Sequence, residues 1–328
     1  MISYRAPPWL PGGNAQTLWA ALAAQRHLGK PPGWRRERWT TPDGDFVDVD
    51  HAVHEVSGGA PLLVLFHGLE GSSASQYAIA FADFARAHNL AMVVPHFRGC
   101  SGEINRAPRA YHSGDFEEID WILGRLANAQ PSRPLVAVGV SLGGNALLRW
   151  AGEMGGHAAS KVKAVAAVCS PLDLAAGGHA IGRGFNRLVY TRMFLNSMVP
   201  KALKKLEQHP GLFDREALLS ARDLYDFDNI FTAPLHGFQD TEDYWARASA
   251  KPVLAEIRVP ALALNALNDP FVPSGSLPTS SHVGPMVTLW QPTEGGHVGF
   301  PVSSHPLGFP GHVRAMPQAV GQWLMKQL

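Results

Sequence analysis

An α/β fold is predicted: a mainly parallel sheet flanked by helices, with an antiparallel amino-terminal edge and a helical insertion. Three observations lead to it. From Leu62 onward, short apolar runs alternate with amphipathic stretches, the pattern of strand–helix–strand units with right-handed crossovers. A pair of strands with hairpin chemistry between them precedes that alternation. The alternation breaks once, after the sixth strand, and then resumes.

The elements follow in chain order. Residues 1–33 read as an irregular arm with Pro7-Pro8, Pro11-Gly12-Gly13 and one helix near Gln16 to His27. Trp34 to Thr41 and Phe46 to Val53 read as strands joined by the turn Pro42-Asp43-Gly44-Asp45. Leu62 to Phe66 is apolar throughout, as a strand covered on both faces requires. A helix is expected from Ser75 to His88 and a strand from Ala91 to Val94, ending in Pro95-His96-Phe97-Arg98-Gly99. Phe116, Ile119, Ile122, Leu123 and Leu126 recur at helical spacing, in a helix opening near Asp115 with Glu118 completing a capping arrangement. The strand Leu135 to Val138, the helix Leu142 to Met154 and the strand Val162 to Val168 come next. Between about 174 and 250 the chain reads as helices and loops. That insertion is expected to be a lid over the carboxyl ends of the strands, within one domain spanning 1–328, because both its ends return to the same sheet. Ala261 to Leu264, Met286 to Leu289 and a helix from His312 to Lys326 complete the pattern.

Composition narrows the function classes. Hydrophobic residues make up 46% of the 328, enough for a sizeable core. With 28 Lys+Arg against 27 Asp+Glu, no global field favours nucleic acid or an anionic membrane surface. The two cysteines, Cys100 and Cys169, fall in or just after strands and lack zinc-ligand spacing, so free buried thiols, no metal and a reducing compartment are expected. Met1-Ile2-Ser3-Tyr4-Arg5-Ala6-Pro7-Pro8 lacks the basic-then-apolar order of a signal peptide, and no apolar run approaches the length of a membrane span. A cytoplasmic location is the expectation.

The chemistry points to one segment, Gly139-Val140-Ser141-Leu142-Gly143-Gly144. It lies between a buried-type strand and a helix, the setting of a nucleophile elbow that lifts a serine hydroxyl above a sheet edge. An ordinary glycine-rich turn is the plainer alternative, so the partners decide. A serine needs a base, and the base needs a third group to fix its tautomer, in the chain order serine, acid, histidine. Asp269 fits the acid: it follows the Ala261 to Leu264 strand, and Pro270 keeps it off a helix. Asp173, in Ser170-Pro171-Leu172-Asp173, is its rival. His297 fits the base, in a glycine-flanked loop between the last strand and the last helix, whereas His305 and His312 lie beyond that loop.

An oxyanion needs two backbone donors. The amide of Leu142, at a helix amino terminus, is the first candidate. The second is the amide of Leu69, in His67-Gly68-Leu69-Glu70-Gly71-Ser72 after the Leu62 to Phe66 strand. His67 is expected to pin that loop. Glu70 should turn away from an oxyanion or pair with a cation such as Arg98.

Together these residues resemble the α/β-hydrolase superfamily, and more narrowly the YheT-type hydrolases and related α/β-hydrolase domain-containing esterases and lipases. The matching stretches are Pro8-Trp9-Leu10-Pro11-Gly12-Gly13-Asn14-Ala15-Gln16-Thr17, His67 to Ser72, Phe97-Arg98-Gly99-Cys100-Ser101-Gly102, the elbow with Asn145, Tyr111-His112-Ser113-Gly114, and Asn268-Asp269-Pro270-Phe271. The resemblance implies a serine carboxylic-ester hydrolase with Ser141, Asp269 and His297 as triad, a small-molecule ester as substrate and no cofactor. Acyl transfer and peptide hydrolysis use the same constellation and stay open; a non-catalytic binding module gains little support from a complete one. Specificity is assigned to the insertion. There Leu188, Val189, Met193, Phe194, Met198, Val199 and Leu203 form an apolar set, with Met193 and Phe194 as candidate contacts to an acyl chain. Such a stripe is more often a face packed onto the body.

Overall fold

The computed structural model describes residues 4–303 and 311–328; Met1 to Ser3 and His305 lie outside the described residues. Eight strands form the main sheet: β1 (Gly33–Thr40), β2 (Phe46–Val53), β3 (Leu62–Phe66), β4 (Ala91–Pro95), β5 (Leu135–Val140), β6 (Ala164–Val168), β7 (Ala261–Leu264) and β8 (Val287–Trp290). Their spatial order is β1-β2-β4-β3-β5-β6-β7-β8. The pairs β1/β2 and β2/β4 are antiparallel and all later pairs are parallel. The hairpin therefore supplies an antiparallel edge to a parallel sheet, as the alternation predicts.

Successive strand side chains point to opposite faces, and here each face carries its own core. Leu62, Val64, Phe66 and Ala137 pack with α3 (Phe116–Ala129) and α4 (Leu142–Met154). Leu63, Leu65, Val136 and Val138 pack with α2 (Gln76–Ala87) and the carboxyl-terminal helix, Ala315–Met325. Both faces being covered explains why the central strands are unbroken apolar runs.

Three local expectations need correction. The first helix, α1, spans Gly12–Leu22, earlier than Gln16 to His27. A Cβ at Gly13 would overlap the carbonyl oxygen of Asn268, so a tertiary contact outweighs glycine's poor helix propensity. The last helix starts at Ala315, because Gly311–His312 pairs with Val302–Ser303 in a small two-stranded sheet that carries no sequence signal at that length. Asp115 and Glu118 do not cap α3 with their side chains; they pair with Arg109 and Arg98 instead.

Between β6 and β7 the chain forms α5 (Leu174–Ile181), α6 (Arg192–Gln208), α7 (Thr241–Ala248) and shorter helical turns, with no strand among the described residues. Side chains of Asp173 and Asp240 accept hydrogen bonds from Ala176 N and Asp243 N at the starts of α5 and α7. Among the described residues no helix is long and apolar enough to cross a membrane. The carboxyl-terminal helix Ala315–Met325 is α8.

Candidate active site

The turn between β5 and α4 is left-handed at Ser141, with φ 52° and ψ −120°. Non-glycine residues seldom adopt that conformation, which costs about 1–3 kcal/mol and marks functional positions. Its neighbours explain the glycines. A Cβ on Gly139 would run into Gly143 and Gly144, one on Gly143 into the carbonyls of Phe66 and His67, and one on Gly144 into Ser170 Oγ. The turn can form only where side chains are absent.

Ser141 Oγ lies 2.9 Å from His297 Nε2, and His297 Nδ1 lies 2.8 Å from Asp269 Oδ2. The other oxygen of Asp269 accepts from the amides of Phe271 (2.8 Å) and Val272 (3.3 Å), which orients the carboxylate. The three residues follow the carboxyl ends of β5, β7 and β8. Asp173, the rival acid, is occupied elsewhere: it caps α5 and lies 3.8 Å from Lys251 Nζ. His312 belongs to the small sheet.

The histidine loop is tightly wound. Gly295 and Gly296 have φ of 151° and 61°, and Val298 and Phe300 have positive φ as well. A β-branched residue at φ 57° is an outlier that surrounding contacts must hold. Two contacts that do so escaped sequence reasoning. The Val298 amide donates to Cys169 Sγ at 3.2 Å, and the Phe271 ring packs 4.2 Å from the His297 ring. Cys169 itself has φ 50°, directly after β6, and nothing in its sequence setting separates it from an ordinary buried thiol. Both cysteines are free.

In the loop after β3 the Gly68 amide donates to Tyr77 Oη (2.9 Å), the Glu70 amide to Tyr111 Oη (3.0 Å) and the Gly71 amide to Gly68 O (2.9 Å). The amides of Leu69 and Leu142 have no such partner among the described residues, and both residues border the cavity that holds Ser141 and His297. His67 is fully buried, with Nδ1 2.8 Å from Gly68 O and Nε2 accepting from the Phe97 amide at 3.0 Å. That pair of partners requires a neutral ring protonated at Nδ1. Burial pushes its pKa down to about 3. His67 is thus a loop pin, as expected.

Glu70 is paired with a cation, but not with Arg98. Lys201 Nζ of α6 lies 2.7 Å from its carboxylate, which also accepts from Tyr111 Oη (2.9 Å) and the Ser197 hydroxyl. Arg98 is unavailable because Asp43 (2.7 Å), Asp45 (2.9 Å) and Glu118 (2.5 Å) surround its guanidinium.

The cavity over Ser141 has a volume of about 170 Å³. Its walls include Phe194, Met198, Phe227, Asp228 and Phe231 from the insertion, together with His112 from the body. Phe194 therefore borders the cavity. Met193 does not: it is 56% exposed and absent from the wall, because the next position on α6 turns inward in its place. Leu188 is likewise exposed, whereas Val199 and Leu203 pack among the insertion's own helices, so the stripe divides between cavity, core and solvent.

Comparison with known proteins gives consistent matches. A family profile described as the alpha/beta hydrolase fold matches residues 61–303. The Escherichia coli (strain K12) protein named "Putative esterase YheT" is 39% identical over 279 residues, 84% of this chain and 81% of its own. Phospholipase ABHD3 of Homo sapiens is 28% identical across 91% of this chain and 73% of its own. Among solved structures, the esterase Pf2001 of Pyrococcus furiosus shares the fold with a TM-score of 0.54 at 14% identity, covering 92% of this chain and 95% of that one.

Proposed function

The chain belongs to the α/β-hydrolase family, and we propose that it hydrolyses small carboxylic esters through an acyl-enzyme formed on Ser141. The observation that carries this reading is the unbroken chain of hydrogen bonds from Asp269 through His297 to the Ser141 hydroxyl, opening on an apolar-walled cavity.

In this scheme His297 Nε2 takes the Ser141 proton as Oγ attacks the acyl carbonyl. Asp269 fixes the tautomer and balances the imidazolium charge. The oxyanion is received by the amides of Leu69 and Leu142, the latter at the amino end of α4, where the helix dipole adds to the hydrogen bond. His297 then protonates the leaving alcohol, and a water deprotonated by the same imidazole releases the acid. The scheme uses protein groups and water alone. The wall of Phe194, Met198, Phe227 and Phe231 suits an apolar acyl group. Relatives named as an esterase and a phospholipase support ester cleavage as the reaction type. Two unpaired thiols fit residence in a reducing compartment such as the cytoplasm.

The test is turnover of nitrophenyl esters of graded acyl length by purified protein and by Ser141→Ala. Wild-type turnover with a loss of about 10⁴-fold or more in the variant supports the scheme. Retained activity in Ser141→Ala removes the nucleophile assignment. Absence of any hydrolysis by wild-type protein across the acyl series removes the esterase reading.

A further inference from the structure

The amino-terminal arm lies against both loops that carry the base and the acid. Gln16 Oε1 accepts from the Gly295 amide at 2.9 Å and from Asn268 Nδ2 at 3.0 Å. Asn268 in turn receives the Gly296 amide on Oδ1 at 2.9 Å. Thr17 Oγ1 accepts from the amide of His297 itself at 2.8 Å while donating to Gly13 O at 2.7 Å. Gln16 Nε2 donates to Leu10 O at 3.0 Å, so every polar atom of this buried amide is used. The approach is close: a Cβ on Gly296 would crowd Gly13 O and Thr17 Oγ1, and one on Gly299 would crowd Gln16 O.

We propose that Gln16 and Thr17 are positioning residues for the reaction, and that the arm sets the aim of His297. This rests on the reading of His297 as the base. The argument is geometric. A loop with several left-handed residues has many accessible conformations, and its glycines cannot choose among them. Direct hydrogen bonds from the arm fix the backbone at 295 and 297, and the Gln16–Asn268–Gly296 link ties the same loop to the residue preceding Asp269. The acid–base pair is thereby held at one separation by a segment far away in sequence. Neither residue touches the reacting atoms; both act through the loop. Displacement of a reacting group by about 1 Å can cost on the order of 100-fold in rate, so loss of these bonds should be read in turnover before it is read in folding.

Thr17→Val preserves shape and removes the acceptor, whereas Thr17→Ser keeps the hydroxyl. The experiment measures kcat and KM on a short nitrophenyl ester for wild type and both variants, with Tm alongside. Expected are a 10- to 100-fold fall in kcat for Thr17→Val at nearly unchanged KM, and turnover within about threefold of wild type for Thr17→Ser. A Thr17→Val variant with wild-type kcat overturns the proposal, as do equal losses in both variants. Hydrogen exchange on the unmodified protein supplies a readout that does not depend on a variant folding. The amides of Gly295 and His297 should be protected to the level of the parallel strands, and exchange at the rate of exposed loops overturns the proposal. An inactive wild type with protected amides would instead count against the esterase reading and leave the arm's clamp standing.

Discussion

Ser141 has a strained backbone only because Gly139, Gly143 and Gly144 leave room for it, and that crowding is itself testable. Gly143→Ala places a methyl against the carbonyls of Phe66 and His67, the strand end from which the Leu69 loop departs. Overpacking of this kind costs about 1–3 kcal/mol, so a lowered Tm is expected together with a fall in kcat of at least 100-fold, larger than stability loss alone would give. The two candidate acids give a sharper comparison. Asp269→Asn should reduce kcat about 10⁴-fold, because the amide can present its N–H to Nδ1 and select the wrong tautomer. Asp173→Asn removes only a carboxylate at a helix start and should change Tm slightly with kcat intact. Steady-state kinetics on both variants decides between them, and the reverse order of losses would displace Asp269. These side chains were legible in sequence because each is fixed by local grammar: a glycine-framed turn, a proline after an acid, a glycine-flanked histidine. The pairing of Glu70 was not legible. It depends on Lys201 arriving from α6, more than a hundred positions away, and on Arg98 being taken by three carboxylates.

That arrival makes α6 more than a wall. Its Phe194 and Met198 face the cavity while Lys201 binds the residue next to the Leu69 amide. Position of the helix and charge balance beside the proposed oxyanion site are therefore coupled. Lys201→Met should leave the Glu70 carboxylate with hydroxyl donors and no cation, close to where negative charge develops. A fall of about 10-fold in kcat is expected, with a stability loss of about 1–2 kcal/mol, discounted because Lys201 is about one-third exposed. Adding Glu70→Gln removes the stranded charge, so the double variant should recover most of the lost turnover; a double-mutant cycle that shows simple additivity would rule the coupling out. The strands were readable from their apolar runs, and so was the helical character of the insertion. Which face of α6 points inward was not, since its apolar set serves cavity, core and solvent at once. The arm shows the same limit: its helix was displaced in sequence by a contact between Gly13 and Asn268 that no local pattern announces.

Charge burial differs from one side of the fold to another, and it gives the protein opposing pH dependences. Asp50, on β2, is buried, and burial works against its charge. Hydrogen bonds from Arg36 (2.7 Å), His96 (2.8 Å) and Ser73 (2.6 Å) overcome that cost and hold its pKa well below the usual carboxylate range. Its stabilisation is present above the unfolded-state pKa of about 4 and is lost as the pH falls through the folded value. Asp228 behaves in the opposite way. It borders the cavity and, among the described residues, accepts from two neutral donors, Thr232 Oγ1 at 2.7 Å and Trp245 Nε1 at 2.9 Å; burial raises its pKa to about 6. Between about pH 4 and 6 the folded state binds the extra proton, so stability falls as pH rises through that window and the full cost stands at neutral pH. Two pKa units correspond to about 3 kcal/mol as an upper figure. Asp228→Asn keeps both partners, accepting from Trp245 and donating to Thr232, and carries no charge. The variant should therefore be more stable than wild type by about 1–3 kcal/mol at pH 7 and nearly equal to it near pH 4. Urea melts at the two pH values test this. A variant less stable at pH 7, or a difference that does not shrink on acidification, would show that the buried charge of Asp228 is not what costs stability.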